Sequence, residues 1–163
     1  MLAACGMREQ PAPISMAGGP GAAVGTVPSG GALGIPTGID KSQLGPGSQS
    51  NLSATAGDRV FFAYDRSELS AEGQETLRRQ SEWLRRYPNV SVTIEGHADE
   101  RGTREYNLSL GERRAQTVRN ALVALGTPVS RISIISYGKE RPEVPHSDES
   151  SYAQNRRAVT VVN

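Results

Sequence analysis

Cysteine is almost absent from this chain: one residue in 163, Cys5, which excludes an internal disulfide framework. Histidine occurs only twice, as His97 and His146, too few and too far apart for a histidine-based metal centre, and no metal or cofactor is expected. No apolar run approaches the ~20 residues needed to cross a bilayer. The formal net charge is only +1, so bulk electrostatics give no case for nucleic acid as a partner. Residues 1–57 lack aromatics altogether and carry just four charges, Arg8, Glu9, Asp40 and Lys41. What that segment does have is 12 of the 18 glycines and 6 of the 10 prolines. So little bulky apolar surface cannot offset chain entropy, which predicts a disordered tether over residues 6–57. The folded unit is then residues 58–163, long enough for one domain with its own core.

Within that unit the patterns alternate. Residues 59–64 are aromatic and β-branched and predict a first strand. Ser70 reads as the N-cap of a helix running to about Tyr87, with Leu77, Trp83 and Leu84 on its buried side and Pro88 as its stop. Val90, Val92 and Ile94 alternate with polar residues as a second strand. Ser109 and Glu112 fit a capping box opening a second helix with a stripe of Ala115, Val118, Leu122 and Leu125, closed by Gly126 and Pro128. Ile132, Ile134 and Ser136 predict a third strand, residues 142–149 a proline- and acid-rich loop, and residues 158–162 a last strand. The order β-α-β-α-β-β describes an α/β two-layer sandwich, with both helices packed on one face of a mixed sheet.

The chemistry concentrates between strand two and helix two, in residues 94–102 and 106–115. Asp99 sits in the loop and Arg114 in the first turns of the helix it enters, so one fixed anion and one fixed cation converge over a single pocket. That arrangement suits a zwitterionic end group, and points to binding rather than bond breaking. The alternative role for Asp99 is to hold the loop as an Asx turn; Gly96 and Gly102 serve the backbone geometry of the turn. Arg113, one position from Arg114, reads as a solvated helix-face residue.

Four stretches taken in order carry a family resemblance: Glu95-Gly96-His97-Ala98-Asp99-Glu100-Arg101-Gly102-Thr103, residues 106–115, Ser136-Tyr137-Gly138-Lys139-Glu140, and Asn155-Arg156-Arg157-Ala158-Val159. Over residues 58–163 the sequence resembles the OmpA-like peptidoglycan-binding domain, in the branch of the peptidoglycan-associated lipoproteins. The resemblance implies that Asp99 binds the ammonium of the diaminopimelate residue in a peptidoglycan stem peptide, and that Arg114 takes a stem carboxylate, bidentately as only arginine can. It also implies that Asn107 contacts ligand and that Arg156 flanks the pocket, while Arg157 fits either that role or a structural ion pair. Phe62 and Ala63 correspond to a Phe-Asp pair of the family. Ala63 departs from it: a main-chain contact there survives, a carboxylate contact is lost.

The same resemblance gives meaning to Leu2-Ala3-Ala4-Cys5-Gly6, which is similar to a lipoprotein lipobox. Residues 1–5 then read as the remnant of a signal region and Cys5 as an acylated anchor, holding the protein at the outer membrane with its domain facing the periplasm. Several acyl chains anchor firmly at about 0.8 kcal/mol per buried methylene. The implied function is a non-enzymatic link between outer membrane and cell wall, with TolB and other Tol proteins as partners and a part in envelope integrity and cell division. The competing reading is a peptidoglycan hydrolase using His97, Asp99 and Glu100 as an acid–base set; the sequence offers it no nucleophile elbow and no metal-ligand set.

Overall fold

The structure is a computed structural model that describes residues 45–163; Cys5 and most of the expected tether lie outside the described residues. The elements run α1 (Gln49–Thr55), β1 (Arg59–Phe61), α2 (Ala71–Arg86), β2 (Val92–His97), α3 (Arg104–Ala124), β3 (Ile132–Gly138), α4 (Glu149–Asn155) and β4 (Arg157–Val162). The four strands form one mixed sheet in the order β1-β4-β2-β3. β4 is antiparallel to both neighbours, and β2 and β3 are parallel, with Ile94 opposite Ile134. Val92, Ile94 and Ile132 of the sheet share one core with Leu77 and Leu84 of α2 and Ala115, Val118 and Leu122 of α3. The two-layer α/β architecture expected from the sequence is the one observed.

α2 starts where its cap predicts. Ser70 accepts a hydrogen bond from Gly73 N at 3.1 Å, and Trp83 and Leu84 are buried. The end of α3 is also as expected: Thr127 N bonds to Leu122 O and Gly126 N to Val123 O, a Schellman closure that needs Gly126 at φ +98°.

Two local expectations are corrected, and one further element appears. The second long helix does not begin at Ser109. It begins at Arg104, capped by Thr103, whose hydroxyl accepts from Tyr106 N at 3.2 Å, directly after Gly102 turns the chain at φ +94°. Ser109 is an exposed residue inside the helix; an S-x-x-E spacing is one turn of any helix and marks a start only where the chain breaks before it. The second correction concerns the tether, which does not run to residue 57. Residues 49–55 are helical, Leu52 is fully buried in the core cluster, and Gln49 bonds to Val162 N and Thr160 O of β4. One leucine in a glycine- and serine-rich window leaves no periodicity to read, so burial against α2 and β4 decides. The proline- and acid-rich loop runs over residues 142–148 as expected, and a short helix that the sequence did not suggest follows it: α4, capped by Asp148, which accepts from Ser151 N at 2.9 Å.

Candidate functional site

Main-chain packing fixes the site's geometry. At Gly96 and Gly111 α3 meets β2 main chain to main chain: a Cβ on Gly96 would lie 1.8 Å from Gly111 O, and one on Gly111 would lie 2.4 Å from Ser136 Oγ. Only two glycines permit that approach. It sets Arg114, one turn beyond Gly111, beneath the loop that leaves β2.

Asp99, Asn107 and Arg114 line one cleft of about 120 Å³, with Tyr64, Asp65, Arg101, Gly102, Tyr106 and Leu110. The expected convergence of Asp99 and Arg114 is therefore present, although no ion pair joins them and each is held separately. Arg114 is fully buried. Its Nε donates to Arg66 O at 2.9 Å, Nη1 to His97 O at 2.8 Å and Nη2 to Ala63 O at 3.2 Å. A guanidinium has five N–H groups, so both terminal nitrogens keep donor capacity beyond these bonds. Burial, against the favourable charge of Asp99, pushes Arg114 down to about 10, so it stays cationic at neutral pH.

Asp99 is 5% exposed. Its Oδ1 accepts from Arg101 N at 3.2 Å, an Asx turn, so the loop-holding role read from sequence is real. Oδ2 accepts from Arg101 Nη2 at 2.6 Å and from Arg156 Nη1 at 3.4 Å. Burial alone raises the carboxyl's pKa, but the Arg101 bonds, with Arg156 behind them, outweigh it and hold Asp99 below its ordinary value. Asn107 is buried and donates from Nδ2 to Arg101 O at 2.8 Å. It braces the same loop from the first turn of α3.

Arg156, Phe62 and Ala63 stand behind the cleft rather than along it. Arg156 Nε donates to Phe62 O at 3.1 Å, the Phe62 ring lies 5.2 Å from the Arg114 guanidinium, and Ala63 contributes its carbonyl to Arg114. The residues on the cleft itself are Tyr64 and Asp65, with Asp65 accepting a hydrogen bond from the Tyr106 hydroxyl. Both lie two residues beyond the pair singled out from the sequence, and Asp65 places a carboxylate on the cleft where Ala63 has none. Arg101, also missed as a cleft residue, is the closest partner of Asp99. Arg157 resolves as structural, buried and paired with Glu143 at 3.1 Å; Arg113 is exposed, as expected.

His97, Asp99 and Glu100 do not form an acid–base set. The His97 ring is buried against Tyr137, with centroids 5.6 Å apart. Burial first, and the Arg157 charge second, push it down to about 4, so it is neutral at physiological pH. Glu100 points outward and accepts from the Tyr152 hydroxyl at 2.7 Å. Among the described residues no group of three or more His, Cys, Asp or Glu side chains is placed to hold a metal, and no helix is long and apolar enough to cross a membrane.

Residues 61–156 match the OmpA family. A peptidoglycan-associated lipoprotein of Agrobacterium fabrum is 56% identical over 117 residues, covering 72% of this chain and 66% of that one. One from Brucella melitensis is 51% identical over 126 residues, covering 77% of this chain and 75% of that one. Among solved structures, the peptidoglycan-associated lipoprotein of Burkholderia pseudomallei superposes with a TM-score of 0.63 at 40% identity, over 65% of this chain and 90% of that one.

Proposed function

The chain belongs to the OmpA family, in the branch of the peptidoglycan-associated lipoproteins, and from that premise we propose that its cleft holds the diaminopimelate end of a peptidoglycan stem peptide. The observation that carries the reading is a buried carboxylate and a buried guanidinium lining one small cleft, each fixed by its own partners. Diaminopimelate ends in an ammonium and a carboxylate on one carbon. Asp99 takes the ammonium. Arg114 takes the carboxylate through donor capacity left after its bonds to three main-chain carbonyls. The phenol rings of Tyr64 and Tyr106, both exposed, flank the entrance.

The protein acts by binding, not by catalysis: the candidate acid–base residues diverge, and each charge of the cleft is partnered by side chains or carbonyls rather than by a proton-transfer partner. We further propose that Cys5 carries the lipid anchor, that the glycine- and proline-rich residues after it serve as a tether, and that the domain works at the outer membrane facing the periplasm. There it links membrane to wall within the Tol–Pal system, in envelope integrity and cell division, with TolB and other Tol proteins as partners. The composition of residues 1–44 and the names of the relatives support this.

Purified sacculi test the reading. The domain should sediment with them without releasing soluble fragments, and Asp99→Asn should abolish sedimentation. A stem peptide with its diaminopimelate carboxylate amidated should compete poorly. Equal competition by amidated and free peptides overturns the paired-charge assignment, and fragment release overturns the binding-only reading.

A further inference from the structure

Asp99 already holds a cation. Arg101 donates to it at 2.6 Å and is held there from three other sides. Its guanidinium lies 4.1 Å from the centroid of the Tyr64 ring and 4.5 Å from that of Tyr152. Its second terminal nitrogen, Nη1, donates to Glu149 Oε2 at 3.2 Å. Glu149 also accepts from Arg156 Nη1 at 2.9 Å, and Arg156 returns to Asp99 at 3.4 Å. Four charges of alternating sign thus close into a ring: Asp99, Arg101, Glu149, Arg156. Asp99 and Arg156 are buried; Glu149 is exposed and Arg101 only partly covered.

A ligand ammonium that reaches Asp99 must share or take the place of Arg101 Nη2. We propose that Arg101 is a displaceable counter-ion that governs access to Asp99: it neutralises the carboxylate, and yields to an incoming ammonium by turning fully onto Glu149 while remaining between the two tyrosine rings. The geometry favours exchange over simple expulsion. A guanidinium driven into water loses both ion pairs and two ring faces, whereas one that rotates about its stacked position gives up Asp99 alone and keeps Glu149. Asp99 stays in place meanwhile, because the Arg101 main-chain N–H and Arg156 continue to hold it. Arg101 is a positioning residue on this account, and the competing account makes it a direct contact for a ligand carboxylate. The two differ in sign.

The inference rests on the diaminopimelate reading. Its test is calorimetric titration of the full chain with a diaminopimelate-containing stem tripeptide at pH 7. Arg101→Ala, and Arg101→Gln as the variant that keeps more of the packing, should bind roughly three- to tenfold tighter than the unmutated chain, because the ligand no longer competes with a charge-assisted bond. Glu149→Ala removes the alternative seat. It should weaken binding several-fold when Arg101 is present and much less in the Arg101→Ala background. Unchanged or weaker binding by both Arg101 variants overturns the counter-ion role while leaving the diaminopimelate reading intact. Equal Glu149→Ala effects in the two backgrounds overturn the exchange. No binding by the unmutated chain overturns the diaminopimelate reading itself.

Discussion

Arg114→Lys separates the role proposed for that residue, contact with ligand, from the role its bonds show, bracing the fold. As a structural member, Arg114 is fully buried and bonded to the carbonyls of Arg66, His97 and Ala63, which pins the segment after β1 to the end of β2. A lysine ammonium has three donors but no planar fork, and from the same backbone position it cannot reach three carbonyls spread around a guanidinium. At least one buried acceptor loses its charged partner, and two do so if the ammonium settles on a single carbonyl. At about 1.5–3 kcal/mol per hydrogen bond to a charged group, the loss is about 3 kcal/mol. For a domain of this size that lowers the melting temperature by on the order of 10 °C. Thermal denaturation followed by circular dichroism measures it directly. Asp99→Asn is the contrast: it keeps the size and can still accept from the Arg101 main chain, so it should lose sacculus binding with a smaller thermal shift. An Arg114→Lys variant melting within 2 °C of the unmutated protein refutes the structural role and returns Arg114 to a pure ligand contact.

Other substitutions test the rest of the fold. Thr103→Ala should cost about 1 kcal/mol by removing the α3 cap, whereas Ser109→Ala should be nearly neutral; chemical denaturation of the pair shows which residue starts the helix. Leu52→Ala should cost about 2–5 kcal/mol, and a chain beginning at residue 58 should be less stable than one beginning at residue 45; equal stability of the two would detach α1 from the core. Stability should fall as pH drops from 6.5 toward 4, because unfolded His97 takes a proton there while folded His97, pushed down to about 4, does not. The loss amounts to up to ~3 kcal/mol for that 2.5-unit interval, and His97→Gln should flatten the slope in denaturation curves recorded across the interval.

What the sequence disclosed and what it hid divide along physical lines. The long elements with regular spacing were legible: the Leu77–Leu84 stripe of α2 and its Ser70 cap, the alternation of β2, the Gly126 stop of α3. The start of α3 was not, because capping side chains act only where the backbone leaves the helical region, and the residue that makes it do so is Gly102. α1 and α4, seven residues each, are too short to show a period and exist through contacts made far along the chain. At the site, the acid and base at 99 and 114 were visible as a pair. Arg101 was passed over because its importance lies in a third partner, Glu149, 48 residues away. The position of Tyr64 and Asp65 on the cleft, with Phe62 and Ala63 behind it, has a similar origin. β1 ends at Phe61, three residues earlier than its composition suggests, and the chain turns at Asp65 with φ +53°, bringing the later pair to the cleft.

The contact of Gly96 with Gly111 bears on how this cleft tolerates change. Side chains between a helix and a sheet act as cushions: when one shrinks or swells, the helix shifts by a fraction of an ångström and everything mounted on it moves too. At this crossing there is no cushion, only one main chain resting on another. Substitutions elsewhere in the core, such as Leu122→Met or Ile132→Val, can alter the tilt of α3 only by pivoting it about that point. Arg114 lies one turn from the pivot and is displaced least, while Ala124, at the far end, swings most. The apolar core can therefore drift over many substitutions with the spacing of Asp99 and Arg114 unchanged, whereas a single methyl group added at residue 96 or 111 would push the two charges apart.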